Sequence, residues 1–174
     1  MIAKVTNGLL LLAVSIAIED ACFPDKRDVS CRLNAMDDKG LSAIPKNCTV
    51  LMGDLVIELS RVLPRKIHVL SNLRTIQGSL VIVRTDYNGD FKFLNNVRCI
   101  YNTKGPAILL RENIALYTLG LINIQKLYGD PVISSIGDSY LFNVDESELR
   151  RLIKVSSIDG TYREEMIKVE ESPD

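Results

Sequence analysis

Tryptophan is absent from this chain, and histidine occurs once, at His68. Imidazole is the side chain whose ordinary pKa lies nearest neutrality, so acid–base chemistry at pH 7 has few candidates here. His68 stands in Lys66-Ile-His-Val-Leu70 without a paired nucleophile and reads as a surface or corner residue. A basic stripe is lacking too: 21 Lys and Arg against 22 Asp and Glu leave a formal net charge of −1, with both signs mixed along the chain. A nucleic acid partner, which needs a basic face for its phosphates, is excluded on that ground. The four cysteines show no CxxC spacing, and the lone histidine is far from them, so no metal or cofactor is implied. No apolar run reaches the roughly 20 residues that cross a bilayer. Glu170-Glu-Ser-Pro-Asp174 offers no hydrophobic tail for a lipid anchor, so no membrane anchor is expected.

What is present begins with a leader. Lys4 precedes the short apolar run Leu9-Leu-Leu-Leu-Ala-Val-Ser-Ile-Ala-Ile18, and Ser15 and Ala17 stand two apart, as a cleavage site requires. Residues 1–17 are therefore expected to be a signal peptide, and the protein to be secreted and extracellular. An oxidising compartment favours disulfide pairing of Cys22, Cys31, Cys48 and Cys99. Residues 18–47 form a cysteine-containing lead-in, and a bridge from it to Cys48 would close the N-terminal end of the domain. Cys31–Cys48 is preferred, with Cys22–Cys48 as the alternative, and Cys99 reads equally as a buried free thiol. Asn47-Cys-Thr49 is a glycosylation sequon, which would make the chain a glycoprotein.

From Cys48 the chain repeats itself. Val50-Leu-Met-Gly-Asp-Leu-Val-Ile57, Thr75-Ile-Gln-Gly-Ser-Leu-Val-Ile82 and Lys126-Leu-Tyr-Gly-Asp-Pro-Val-Ile133 are copies, with a weaker one at Gly105-Pro-Ala-Ile-Leu109. Glycines 53, 78, 105 and 129 are 25, 27 and 24 residues apart. Leu70-Ser-Asn72, Leu94-Asn-Asn96 and Leu121-Ile-Asn123 precede three of them, and asparagines in register predict a ladder between turns. Self-similarity at such a period means stacked units, none able to bury its apolar face alone. The expected fold is mainly β, a leucine-rich-repeat-like solenoid over 48–153. Asp145-Glu-Ser-Glu148 predicts a short capping helix, and 154–174 reads as a charged tail. Pro131, unable to donate to a ladder, suggests a frayed fourth strand.

Alternation within each strand assigns faces. Leu55 and Ile57, Leu80 and Ile82, Ala107 and Leu109, and Pro131 and Ile133 are expected to point inward. Val56, Val81, Ile108 and Val132 then share an outward row, extended by Val83 and Leu110 and rimmed by Glu58, Arg84 and Arg111. A continuous outward apolar row is a candidate ligand surface. Cover by the lead-in or tail, contact with a second copy in a homodimer, and strands buried on both faces are the competing explanations. Asp86, Asp90 and Asp130, the acids nearest strand ends, each sit in a turn signal that accounts for them, so catalysis is not expected.

Ile44-Pro-Lys-Asn-Cys-Thr-Val-Leu-Met-Gly-Asp-Leu-Val-Ile57, Phe93-Leu-Asn-Asn-Val-Arg-Cys-Ile100 and Glu112-Asn-Ile-Ala-Leu-Tyr-Thr-Leu-Gly-Leu-Ile-Asn-Ile124 resemble the receptor L domain, the ligand-binding module of insulin and EGF receptors. Secreted nematode proteins built from such domains without a kinase are the nearest look-alikes. The resemblance covers about 44–153 and implies a right-handed single-stranded β-helix whose broad sheet contacts peptide hormones. It makes the expected partner a peptide growth factor or hormone, insulin-like or EGF-like, or a receptor ectodomain. The chain departs from the family in having no cysteine after the fourth strand, and in having no second L domain or kinase, so direct signalling is not expected.

Overall fold

The computed structural model describes residues 22, 24–58, 62–87, 89–113, 116–136, 144–156 and 167–170. The expected leader, and Asn88 of the expected Asn-Gly turn, lie outside the described residues. Each repeat gives one short strand to each of two sheets. In the first two repeats the strands are β2 (Val50–Met52) with β3 (Leu55–Ile57), and β4 (Thr75–Gln77) with β5 (Leu80–Val83). The last two supply β6 (Cys99–Tyr101) with β7 (Ile108–Arg111), and β8 (Lys126–Tyr128) with β9 (Ile133–Ile136). Flanking strands β1 (Ser30–Cys31) and β10 (Ile167–Glu170) complete two five-stranded sheets, ordered β1-β2-β4-β6-β8 and β10-β9-β7-β5-β3. Every pairing in both sheets is parallel, as expected where each strand meets its counterpart one whole repeat away.

Corners between the strands explain the recurring glycine. Gly53 turns the first corner at φ +109°, a conformation that costs glycine little. Gly78 lies so close beneath it that a Cβ would stand 2.5 Å from the Gly53 carbonyl carbon. These two corners are two residues long, 53–54 and 78–79, whereas the third runs over 102–107 and the fourth over 129–132.

Three sets of side chains meet in the core. The first sheet sends in Leu51, Ile76, Ile100 and Leu127, and the second sends in Leu55, Ile57, Leu80, Ile82, Ile108, Leu110 and Ile133. The third set comes from turns and from the 3-10 helices Ile67–Asn72 and Lys92–Leu94: Leu70, Leu73, Leu94, Val97, Leu121 and Ile124. Fully burying one such side chain contributes roughly 1.5–3 kcal/mol. Between β5 and β6, Phe91 is fully buried in edge-on contact with Tyr87 and Phe93, at ring-centroid distances of 5.4 and 5.7 Å. Along the turns the expected ladder is present: the Asn72, Asn96 and Asn123 amides donate to the carbonyls of Lys46, Ser71 and Asn95 at 2.8, 2.7 and 2.8 Å.

Both ends are closed. At one, α1 (Asp38–Ser42) is capped by Asp37 and buries Leu41, and a disulfide joins Cys31 to Cys48. At the other, α2 (Glu146–Ser156) packs against β8, and the Asp145 carboxylate accepts the N–H groups of Ser147 and Glu148 at 2.7 and 3.2 Å. Glu148 does not reach back to its cap. It is buried and accepts the Leu119 and Leu121 N–H groups at 3.0 and 3.2 Å, pinning the last turn to the helix.

Three expectations change. Cys99 is no free thiol, since it is bonded to Cys22, and the Cys22–Cys48 alternative does not form. Pro131 does not fray the fourth strand: β9 begins two residues later, at Ile133, and pairs over four residues on both sides. Part of the charged tail is a strand, because Ile167–Glu170 lies in register with Ile133–Ile136.

Candidate functional site

Alternation places opposite faces of each strand in opposite surroundings. On the second sheet Val56, Val81 and Leu109 are register partners on the outer side, with Ser134 continuing the row on β9. Val83 and Arg111 form the next outward row. Strands stand about 4.8 Å apart, so Val56, Val81, Val83 and Leu109 make one apolar patch across β3, β5 and β7. Val56 is 46% exposed, and Val81, Val83 and Leu109 are half-buried.

This corrects the expected row at four positions. Ile108 and Leu110 are core residues, 0% and 1% exposed, and Leu109, expected inside, faces out. The cause is the long third corner. Two residues after its glycine the second repeat is already at Leu80, but after Gly105 the strand partner of Leu80 is Ile108, one residue further on. One extra residue exchanges every inward side chain for an outward one. Val132 also leaves the row: its carbonyl accepts the Ile108 N–H at 3.0 Å, just as the Ala107 carbonyl accepts the Leu80 N–H, so it belongs to the corner and packs partly against the core.

The charged rim is built from two left-handed residues. Arg84 and Glu112 occupy equivalent positions beyond β5 and β7, at φ 45° and 54°. Such a backbone costs a non-glycine residue on the order of 1–3 kcal/mol. Their N–H groups still join the ladder, donating to Arg111 and Ile136 carbonyls at 2.8 and 3.0 Å. The Arg84 guanidinium grips the Glu58 carboxylate at 2.6 and 3.1 Å, and that hydrogen bond raises its pKa above the usual arginine value. Arg111 and Glu112 pair at 3.1 Å. Both pairs are largely solvent-exposed, so a ligand can exchange partners with them at small cost.

The first sheet presents a different outer face. Val50, Thr75 and Cys99 form its first outward row, and all three are buried without belonging to the core. Cys22 sits on Cys99 above β6, while Ser30–Cys31 lies beside β2, so the lead-in crosses this face. Only the second row stays open: Met52 and Tyr128 are exposed, and Tyr128 stacks on Tyr101 with ring centroids 4.9 Å apart. The repeat copies hold these residues in the first strand of each copy, where the same alternation assigns their faces.

Asp90 is ion-paired with Lys92 at 3.2 Å, and the ring of His68 lies 3.3 Å from the Arg65 carbonyl. Among the described residues, no group of His, Cys, Asp or Glu side chains is placed to hold a metal ion, and no helix is long and apolar enough to cross a membrane.

Comparison with curated proteins gave no match. The model of one family does match, over residues 47–153, which takes in all four repeats and most of α2. That family is the receptor L domain, a ligand-binding module in insulin and EGF receptors. With two parallel sheets, two disulfides and more than half of its length matched, the chain belongs to the receptor L domain family.

Proposed function

We propose that this protein is a secreted, non-catalytic binder of insulin-like or EGF-like peptides, modulating receptor signalling by sequestering or presenting them. The observation that carries the reading is the apolar patch of Val56, Val81, Val83 and Leu109, open among the described residues, beside the Glu58–Arg84 and Arg111–Glu112 pairs. An apolar centre with a polar rim is the usual anatomy of a protein-binding surface. We read the two sheets as walls of one right-handed single-stranded β-helix, because consecutive strands alternate between them with corners as short as two residues. Such a scaffold holds the patch rigid, which limits the ordering cost of binding.

Immobilised protein tested against insulin-like and EGF-like peptides decides the matter, and no binding at micromolar concentration sinks the proposal. Val81→Asp is expected to abolish binding with secretion unchanged. Val56→Asp, at a more exposed position, tests the same face where a folding effect of the first variant is a concern. A second copy of the chain is the rival occupant, as an extracellular self-associating protein would require. Sedimentation showing a concentration-dependent dimer that Val56→Asp dissolves would favour it.

A further inference from the structure

The asparagine ladder has an open first rung. Each rung donates to the residue just before the corresponding asparagine of the preceding repeat: Asn72 to Lys46, Asn96 to Ser71, Asn123 to Asn95. Lys46 precedes Asn47, so Asn47 is the first member of the series. Among the described residues no earlier rung stands beneath it, and its exposed amide makes no hydrogen bond. Asn47 is also the only asparagine in the chain followed at the second position by Ser or Thr. The one acceptor sequence therefore falls at the one rung whose amide nitrogen is not already engaged.

A cleft of about 370 Å³ adjoins it, lined by Asn47, Thr49, Asn72, Arg74, Asn96 and Arg98. Arg74 and Arg98 occupy equivalent positions on successive repeats, the Arg98 N–H donating to the Arg74 carbonyl at 2.7 Å. Both are exposed, and although the Arg74 charge is felt by Asp25, neither guanidinium makes a salt-bridge contact among the described residues. Guanidinium groups are pure donors, and the hydroxyl and N-acetyl oxygens of a glycan core are acceptors.

We propose that Asn47 carries an N-linked glycan whose first sugars lie in this cleft against Arg74 and Arg98. The proposal rests on the reading that the chain enters the secretory route. Attachment precedes closure of the lead-in, because the folded Thr49 hydroxyl is occupied: it donates to Asp28 and accepts the Val29 N–H, each at 2.9 Å. Standing on the turns, the glycan leaves the outer face of the second sheet free.

The full chain is to be expressed in animal cells with its own leader and, in parallel, behind a supplied one, and the Asn47 peptide weighed before and after enzymatic glycan release. A glycan at Asn47, released severalfold faster under native conditions from Arg74→Ser/Arg98→Ser than from the wild type, is the expected result. Unmodified Asn47 in protein that the supplied leader has carried to the medium overturns the site. Equal release rates overturn the seat in the cleft. Should only the supplied leader yield modified protein, the site stands and the secretion reading fails.

Discussion

The two sheets are written by one repeat, yet among the described residues only the second leaves its first outward row open across three strands, β3, β5 and β7, with the buried Ser134 of β9 at its end. Val50, Thr75 and Cys99 face away from the core just as Val56, Val81 and Leu109 do, but the former are 0%, 7% and 0% exposed. The lead-in covers them, tied down by Cys22–Cys99 and by β1. An apolar or small residue at an outward position thus means opposite things on the two sheets. On the first it is a seat for the chain's own N-terminal segment. On the second it has no cover among the described residues, and exposed apolar patches of this kind mark interaction sites. Cover, rather than composition, separates the candidate site from a structural face.

That contrast can be broken most directly at the staple. Cys22→Ser/Cys99→Ser removes a bond closing 77 residues of separation, and is expected to cost about 2–5 kcal/mol in urea unfolding. The loss should be local as well: amide exchange is expected to quicken in β2, β4 and β6 and to stay slow in β5 and β7. Equal quickening of both sheets would mean that the lead-in supports the whole stack, and the distinction between covered and open faces would lose its force.

A smaller effect tests the face assignment. Leu110→Ala is expected to cost about 2–5 kcal/mol through an unfilled cavity, whereas Leu109→Ala, at a half-buried outward position, should cost about 1 kcal/mol or less. The reverse order would restore the parity read from sequence. That reading held where corners are two residues long: Leu80 and Ile82 face in and Val81 faces out, in both sequence and structure. It failed at Ile108 and Leu110 because a glycine marks that a corner exists but not how many residues it spans, and a slip of one inverts a strand. The asparagine ladder was legible because its rungs recur at the repeat period. The Cys22–Cys99 bond was not, since it depends on which face the lead-in crosses. Ile167-Lys-Val-Glu170 looked like a tail because an edge strand with alternating charges has the composition of a solvated segment.

The smallest effect concerns how the first sheet ends. Its last strand, β8, lies under α2, whose cap is the Asp145 carboxylate. Asp145 has its pKa held below the ordinary 3.8, chiefly by the Ser147 hydroxyl and then by the Glu148 and Ser147 N–H groups. A carboxyl depressed on folding contributes stability that is whole above its unfolded value and is lost as pH falls through its folded value. The cap should therefore hold down to about pH 4 and loosen below it, releasing α2 from β8 before the second sheet is disturbed. Helical circular dichroism followed from pH 5 to pH 2 checks this, with Asp145→Asn as the control: the amide keeps an acceptor oxygen but does not titrate, so its helix signal should lose that pH-dependent step. If wild type and variant lose helix along the same curve, the cap is not the acid-sensitive element. The end of the first sheet would then be held by the buried Glu148, whose carboxylate grips Leu119 and Leu121 from inside.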